Sequence, residues 1–462
     1  MATVEPTPVP AGRASEFGLL LISLVLGVSA YALVGLTVND SLPGTFYRDC
    51  LALVAIAFVM HVVIRWRAPY ADPVLLPVAI TLNSIGLAMI FQINLVTDPQ
   101  NSLASRQMVW TLISIAAACA VLIVLRDHRT LRRYTYVALL AGAILLILPL
   151  LPGIGVEING ARIWVRLGPA SFQPAELAKI AFAMFCAGYL VTNRDTLALA
   201  GRKVLGLQLP RLRDFGPLLL ALGISIAVLV LQRDLGTSLL FFGMFLGMLY
   251  IATERISWII VGLGLFGVAA FAAVQAFSHV AARFNGWINA MDDSVYNAVG
   301  GSAQLVGGMF GMANGGLIGT GWGRGFPQLV PFSYSDFVVA SLGEVLGLTG
   351  IIAILALYLI IIQRGFRIAV GTRDGFGKLL AGGLAFAFAW QCFVVIGGVT
   401  RVIPITGLTT PFLAYGGSSL LANWVIIALL LRISDNARRP HPLPLRRDSD
   451  HSEPEPVLEE AR

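Results

Sequence analysis

Asp292 and Asp293 are adjacent carboxylates, and no other acid lies between Arg283 and Asp336. A carboxylate in a loop can accept a hydroxyl proton, so the pair leads the candidates for a general base; the alternative is two solvated loop acids. A second set of groups runs through Ser171-Phe172-Gln173-Pro174-Ala175-Glu176-Leu177-Ala178-Lys179, preceded by Arg162 and Arg166. Pro174 suits the entry turn of a helix, where its missing N–H is not needed, and this puts Glu176 and Lys179 three residues apart on one helix face. They are either a helix-start acid with a neighbouring lysine or, with Arg162 or Arg166, a charged site for an anionic head group. A third set, Gln232-Arg233-Asp234-Leu235-Gly236-Thr237-Ser238, places an acid and a base between two apolar runs. It reads as a tight turn or as a further carboxylate that holds a cation or positions Lys179. Asp336, Glu344 and Arg401 complete the set, the last in a Gly/Pro/Thr-rich stretch from Gly397 to Ser419.

Composition sets the elements that must hold these groups. The chain has 462 residues, 57% of them hydrophobic and 12% charged, with a mean hydropathy of +0.81. A soluble domain carries about 25% charged residues, so this chain lacks the polar surface to cover its apolar bulk and is expected to be an all-α polytopic membrane protein. Apolar runs between charged or Pro/Gly breaks give about 12 spans (10 to 12) of membrane-crossing length. They are 17–38, 50–64, 74–93, 108–125, 135–151, 176–192, 216–232, 235–252, 257–277, 336–363, 378–398 and 411–432. If the spans alternate from a cytoplasmic N-terminus, most of the 32 basic residues fall on the inner side, including Arg126, Arg129, Arg132 and Arg133. Both termini are therefore expected in the cytoplasm, and the net charge of +7 reports topology rather than a nucleic-acid partner.

On this layout residues 1–16 and 433–462 are expected to be disordered cytoplasmic tails around a membrane domain over 17–432. The two long outer segments, 152–175 and 278–335, exceed what a helix connection needs and are expected to carry function. The first apolar run is too long for a cleaved signal and is expected to remain as a span. Cys50, Cys119, Cys186 and Cys392 lie in or beside apolar runs and read as small hydrophobes. The glycines from Gly300 to Gly325 lack the GKS or GKT of a phosphate loop and instead permit close backbone packing or a re-entrant turn. An arginine in Gly/Pro-rich backbone at membrane depth is tolerated only when buried in protein or lining a polar cavity, so a cavity open to the outer face is expected around Arg401.

The motifs resemble the FtsW/RodA/SpoVE (SEDS) family of peptidoglycan glycosyltransferases from about residue 74 to 432. The resemblance is carried by Gly160 to Trp164, Phe172 to Lys179, Asp234 to Ser238, Gly315 to Gly323, Ser335 to Gly350 and above all Ile396 to Ser419. Ala68 to Pro73 and the additional N-terminal spans are similar to the actinobacterial RodA-like branch. The resemblance implies an enzyme that polymerises lipid II on the outer face of the bacterial cytoplasmic membrane, for wall synthesis in elongation and shape or in division. It implies an inverting glycosyl transfer with Asp292 at the catalytic position and Asp293 as a one-residue alternative. Arg162, Lys179 and Arg401 would neutralise the diphosphate, with Gln173, Glu176 and Asp234 also in the substrate site and Mg or Mn as a possible aid. The implied partner is a class B penicillin-binding transpeptidase docked through its own membrane helix. The chain departs from the family pattern at Ala303 to Gly308, where a Tyr-Gln-x-x-Gln-Ser-like segment is expected; counting back from Gln304 without a gap would put Asn297 at the catalytic position. Glu344-Val345 likewise stands where two acids are often found. The competing functions are a lipid-linked precursor flippase or transporter and a catalytically weak scaffold.

Overall fold

The computed structural model describes residues 12–97, 103–158, 160–168, 170–198, 203–204, 207–208, 223, 226–227, 230–298 and 300–440. The chain begins with α1 (Arg13–Asn39), α2 (Phe46–Arg67), α3 (Leu75–Thr97) and α4 (Leu103–Val124), then a 3-10 turn over His128–Tyr134 leading into α5 (Thr135–Ile147). A small sheet of β1 (Gly155–Ile158), β2 (Ala161–Leu167) and β3 (Ala170–Phe172) precedes α6 (Ala175–Ala198). After it come α7 (Leu235–Thr253), α8 (Ile256–Ala276), the shorter α9 (Ser278–Ile288), α10 (Asp293–Tyr296) and α11 (Ala303–Gly315), and finally α12 (Val338–Gly371), α13 (Gly375–Val399) and α14 (Gly417–Arg438).

Among the described residues eleven helical segments, α1 to α8 and α12 to α14, are long and apolar enough to cross a membrane, α5 together with the 3-10 turns on either side of it (His128–Leu150). They account for all the expected spans except 216–232, which lies largely outside the described residues. Even the shortest run, 50–64, becomes the full helix α2. The core is built where α3, α13 and α14 are covered on nearly all sides, α14 against α4, α3 against α1 and α13 against α12. By contrast α8 is exposed along nearly its whole length.

Three boundaries differ from the sequence expectation. The expected span 411–432 starts as a helix only at Gly417, because residues 400–416 run as irregular backbone, of which Leu408 and Thr410 to Ala414 are buried inside the bundle. Hydropathy cannot see this, since Phe412, Leu413 and Ala414 are as apolar as a span. Side chains meet the backbone groups that irregular segment leaves free: Tyr358 Oη donates to the Pro411 carbonyl at 2.6 Å and Gln107 Nε2 to that of Ala414 at 3.3 Å. Gly86 lets α3 approach this segment, since a Cβ there would stand 2.6 Å from the Leu413 carbonyl oxygen. The other two corrections concern the tails. Residues 13–16 belong to α1, because Arg13 donates to the carbonyls of Ala68, Pro69 and Ala71 while Glu16 bonds both Arg13 and His61. Residues 433–438 belong to α14, because Asp435 accepts from the Tyr70 N–H at 2.9 Å and Arg438 reaches Asp72.

The two long loops are structured. Segment 152–175 folds as an antiparallel sheet in order β1-β2-β3, with Val156 opposite Trp164 and Val165 opposite Phe172. Ile163, Trp164 and Val165, β-branched and aromatic residues set between Arg162 and Arg166, suit a strand. The glycine run after α11 packs against a break in α12. Gly347 there adopts φ 68, outside the helical region, and leaves carbonyls before it and N–H groups after it without helical partners. The loop supplies them: Thr320 and Gly321 donate to the carbonyls of Glu344 and Val345, and Gly316 and Leu317 accept from Leu348 and Thr349. The glycines thus serve close backbone packing, one of the two readings their composition offered.

Candidate functional site at the loop end of the bundle

Helix α9 lies against the irregular 400–416 segment and leads into the carboxylate pair. Arg283, on α9, donates from Nη1 to the carbonyls of Ile405 and Thr406, each at 3.3 Å. Near the end of the helix Trp287 Nε1 donates to the Arg401 carbonyl at 3.1 Å, and Arg401 Nε donates to the Trp287 carbonyl at 2.9 Å. Ala290 is fully buried, and its carbonyl accepts from Ser302 Oγ at 2.6 Å. Asp292 and Asp293 follow, opening α10. Both are exposed, and neither side chain has a hydrogen-bond partner among the described residues.

Arg283 also feels the charge of two carboxyls, Asp234 and Asp336. Asp234 caps α7, accepting from the Thr237 N–H at 3.0 Å and from Thr237 Oγ1 at 2.5 Å; such a cap stabilises a helix by about 1 kcal/mol. Burial pushes the Asp234 carboxyl up from the usual carboxylate range, opposed by the Thr237 bonds and the charge of Arg283. Asp336 is also driven up by burial, against hydrogen bonds from Ser335 and Gln304 and the charge of Arg283. Burial in turn lowers Arg283, and Asp234 and Asp336 oppose that shift.

Lys179 forms a separate buried centre. Its Nζ donates to Glu176 Oε2 at 2.6 Å and to Gln391 Oε1 at 2.7 Å, while Gln391 Nε2 donates to the Thr409 carbonyl at 3.0 Å. Gln173 joins through its backbone, whose N–H donates to Ser418 Oγ at 2.7 Å. The 400–418 segment is therefore the hub: Arg401, Ile405, Thr406, Thr409 and Ser418 each receive or make a bond that ties one candidate group to it. Arg162 stands apart on β2, exposed, with its Nε on Glu157 at 3.0 Å. Glu344 anchors the glycine loop, accepting from Asn314 Nδ2 and the Phe326 N–H, both at 2.9 Å.

Sequence reading assigned no role to Arg283 or Gln391. Arg283 could have been flagged as the basic residue just upstream of the Asp pair, whereas Gln391 is one uncharged polar residue inside an apolar run. A groove lined by Tyr31, Asp49, Ser84 and Phe91, among others, shares no residue with this site. Among the described residues no three or more His, Cys, Asp or Glu side chains converge, so a bound Mg or Mn would not find an all-protein cage.

Helices of membrane-crossing length with ionisable groups gathered at one end of the bundle are those of a multi-pass membrane protein. The chain belongs to the FtsW/RodA/SpoVE family of cell cycle proteins, whose family model matches residues 73–439. Helices α1 and α2 precede the matched residues. The peptidoglycan glycosyltransferase RodA of Mycobacterium tuberculosis H37Rv is 45% identical over 94% of this chain and 92% of its own. Among solved structures, one described as showing structural coordination of polymerization and crosslinking by a peptidoglycan synthase complex superposes with a TM-score of 0.62. It is 25% identical and covers 80% of this chain and 99% of that one. Thermus thermophilus RodA superposes at 0.57, also 25% identical, covering 80% of this chain and 98% of its own.

Proposed function

We infer that the protein is a peptidoglycan glycosyltransferase that polymerises lipid II, with the loop end of the bundle at the outer face of the cytoplasmic membrane and both termini inside. Family membership and the 45% identity to a relative of that name support the activity. The observation that carries the site is the exposed Asp292-Asp293 pair, held on a loop that bonds from Arg401 and Ser302 pin.

In the reaction the 4-hydroxyl of one lipid-linked GlcNAc attacks the MurNAc anomeric carbon of another. A new C–O bond forms as the bond to the diphosphate oxygen breaks, and undecaprenyl diphosphate leaves with the electron pair. The hydroxyl proton passes to Asp292 or Asp293, a transfer worth roughly 100- to 10,000-fold in rate. Charge gathering on the diphosphate calls for fixed cations. Lys179, Arg162 and Arg401 are the candidates from sequence, and Arg283, which feels the charge of Asp234 and Asp336, joins them. Gln173, Glu176 and Asp234 hold these cations and the hub in place. A class B penicillin-binding transpeptidase is the expected partner, in keeping with the synthase complex on which the fold superposes.

The test is polymerisation of labelled lipid II by the purified full chain with its transpeptidase. Replacing both aspartates, Asp292→Ala and Asp293→Ala, abolishes the polymer ladder; an unchanged ladder sinks the residue assignment. Translocation of fluorescent lipid II into proteoliposomes by a wild-type protein that makes no polymer sinks the glycosyltransferase reading itself.

A further inference from the structure

Arg401 occupies the left-handed region, at φ 60, where glycine sits freely and a residue with a Cβ is strained. Strain of this kind persists only when surrounding contacts over-determine it. Those contacts are on α9. The last carbonyls of a helix have no partner within it and carry the negative end of its dipole. Arg401 meets two of them at once: Nε on the Trp287 carbonyl at 2.9 Å and Nη2 on that of Ile288 at 2.8 Å. The Trp287 indole returns a bond to the carbonyl of Arg401 itself at 3.1 Å, which closes a reciprocal clamp.

Only Asn289, Ala290 and Met291 separate the clamped Ile288 from Asp292. This connection has little slack, because the Asn289 N–H stays on the Asn285 carbonyl, the Asp292 N–H on that of Asn289, and Ala290 is buried under the Ser302 bond. We propose that Arg401 is a positioning residue: its guanidinium fixes the end of α9, and thereby the Asp292-Asp293 pair, relative to the 400–418 hub. This role differs from neutralising the diphosphate, and it rests on the pair being the base as described above. The planar fork explains why arginine stands here. A lysine keeps the charge but offers a single point donor that cannot span two successive carbonyls in one geometry.

The experiment compares Arg401→Lys, Arg401→Gly and Trp287→Phe in the full chain with its transpeptidase. A misplacement of about 1 Å at a reacting group costs on the order of 100-fold. Arg401→Lys and Arg401→Gly are therefore expected to lower kcat by about 10- to 100-fold with KM for lipid II within twofold. Arg401→Gly, which relieves the strained φ, keeps its thermal midpoint within a few degrees. Trp287→Phe, which removes only the return bond, lowers kcat by about 3- to 10-fold on the same reasoning. A raised KM that Arg401→Lys restores to the wild-type value would mean a direct anion contact and overturns the proposal, as does unchanged kcat in all three variants. Hydrogen exchange over residues 288–298 supplies a readout independent of turnover: the clamp predicts faster exchange in Arg401→Gly, and unaltered exchange refutes it even if the wild-type protein makes no polymer. A wild-type protein that polymerises, loses activity on replacing the aspartates and is indifferent at Arg401 leaves the function standing and removes the clamp.

Discussion

The two ends of the bundle use charge in opposite ways. At the end that carries the termini, acids are paired with bases: Asp72 with Arg364 and Arg438, Asp435 with Arg432 and Arg439, Glu16 with Arg13 and His61, Asp374 with His128 and Arg129. These pairs tie α1, α2, α12, α13 and α14 to the turns between helices. At the loop end, Arg283 and Arg401 spend donors on backbone carbonyls, and Asp292 and Asp293 remain exposed. Paired charge holds helices together, whereas carboxylates left exposed keep capacity for a substrate. On the proposed assignment the same residue types serve fold at one end and chemistry at the other.

The largest expected effect separates the two directly. Replacing Asp292 and Asp293 by Ala costs 100-fold or more in polymerisation, by the usual worth of a positioned base, with no change in thermal midpoint because the side chains are exposed. Next comes the opposite change. Asp435 and Arg432 are both buried, so Asp435→Ala leaves Arg432 without its carboxylate and costs about 3–5 kcal/mol of stability. Turnover per folded molecule should stay within twofold. A melt in detergent beside a gel assay checks both, and a stability loss at Asp292 or an activity loss at Asp435 would erase the distinction between the ends.

Much of this division is legible in sequence, unevenly and for physical reasons. About 20 apolar residues in a row can do little but span, so the helices were readable down to α2. Glu176 and Lys179 were readable because a helix brings residues three apart together, and the structure joins them at 2.6 Å. The sheet in 152–175 leaves no period-two signal, because Ile163, Trp164 and Val165 are apolar in succession, so the segment reads only as a long loop. The contacts of Arg283 were out of reach because its partner Thr406 lies 123 residues away, and a backbone carbonyl leaves no mark in sequence. For the same reason Arg401 reads as a cation for an anion, while its observed bonds go to Trp287 and Ile288. The start of α14 was misplaced because apolar composition does not distinguish a helix from buried irregular chain.

Lys179 tests whether the comparison is absolute, since it lies among the candidate residues but is paired and buried like the charges at the far end. Lys179→Met strands the Glu176 carboxylate and should cost about 3–5 kcal/mol. Adding Glu176→Gln removes the stranded charge and is expected to recover most of that loss, to within roughly 1–2 kcal/mol of wild type. If the lysine also serves the diphosphate, the double variant folds and still polymerises at least about tenfold more slowly, an effect of one lost charge contact. Full recovery of both stability and polymerisation would instead assign the pair to the fold alone.

The smallest effect is a pH dependence at the paired end. Burial raises the Asp374 carboxyl, but the hydrogen bonds from His128 and the Gly377 N–H, with the charges of His128 and Arg129, outweigh it and hold the group at about 2 against an ordinary 3.8. A carboxyl whose folded value is depressed stabilises the fold above its unfolded value, and that contribution fades as pH falls through the folded value. The thermal midpoint should therefore decline between about pH 4 and pH 2, in a part of the profile that Asp374→Asn flattens. Asp374 is partly solvated, which keeps the change small. Asp234 and Asp336 lie on the other side of the balance, with burial raising them, so ionising them as pH climbs above the ordinary range costs stability rather than adding it. Replacing Asp336 by Asn should then flatten the profile above about pH 4 and leave the acid limb untouched, so that each end of the bundle governs its own side of the curve.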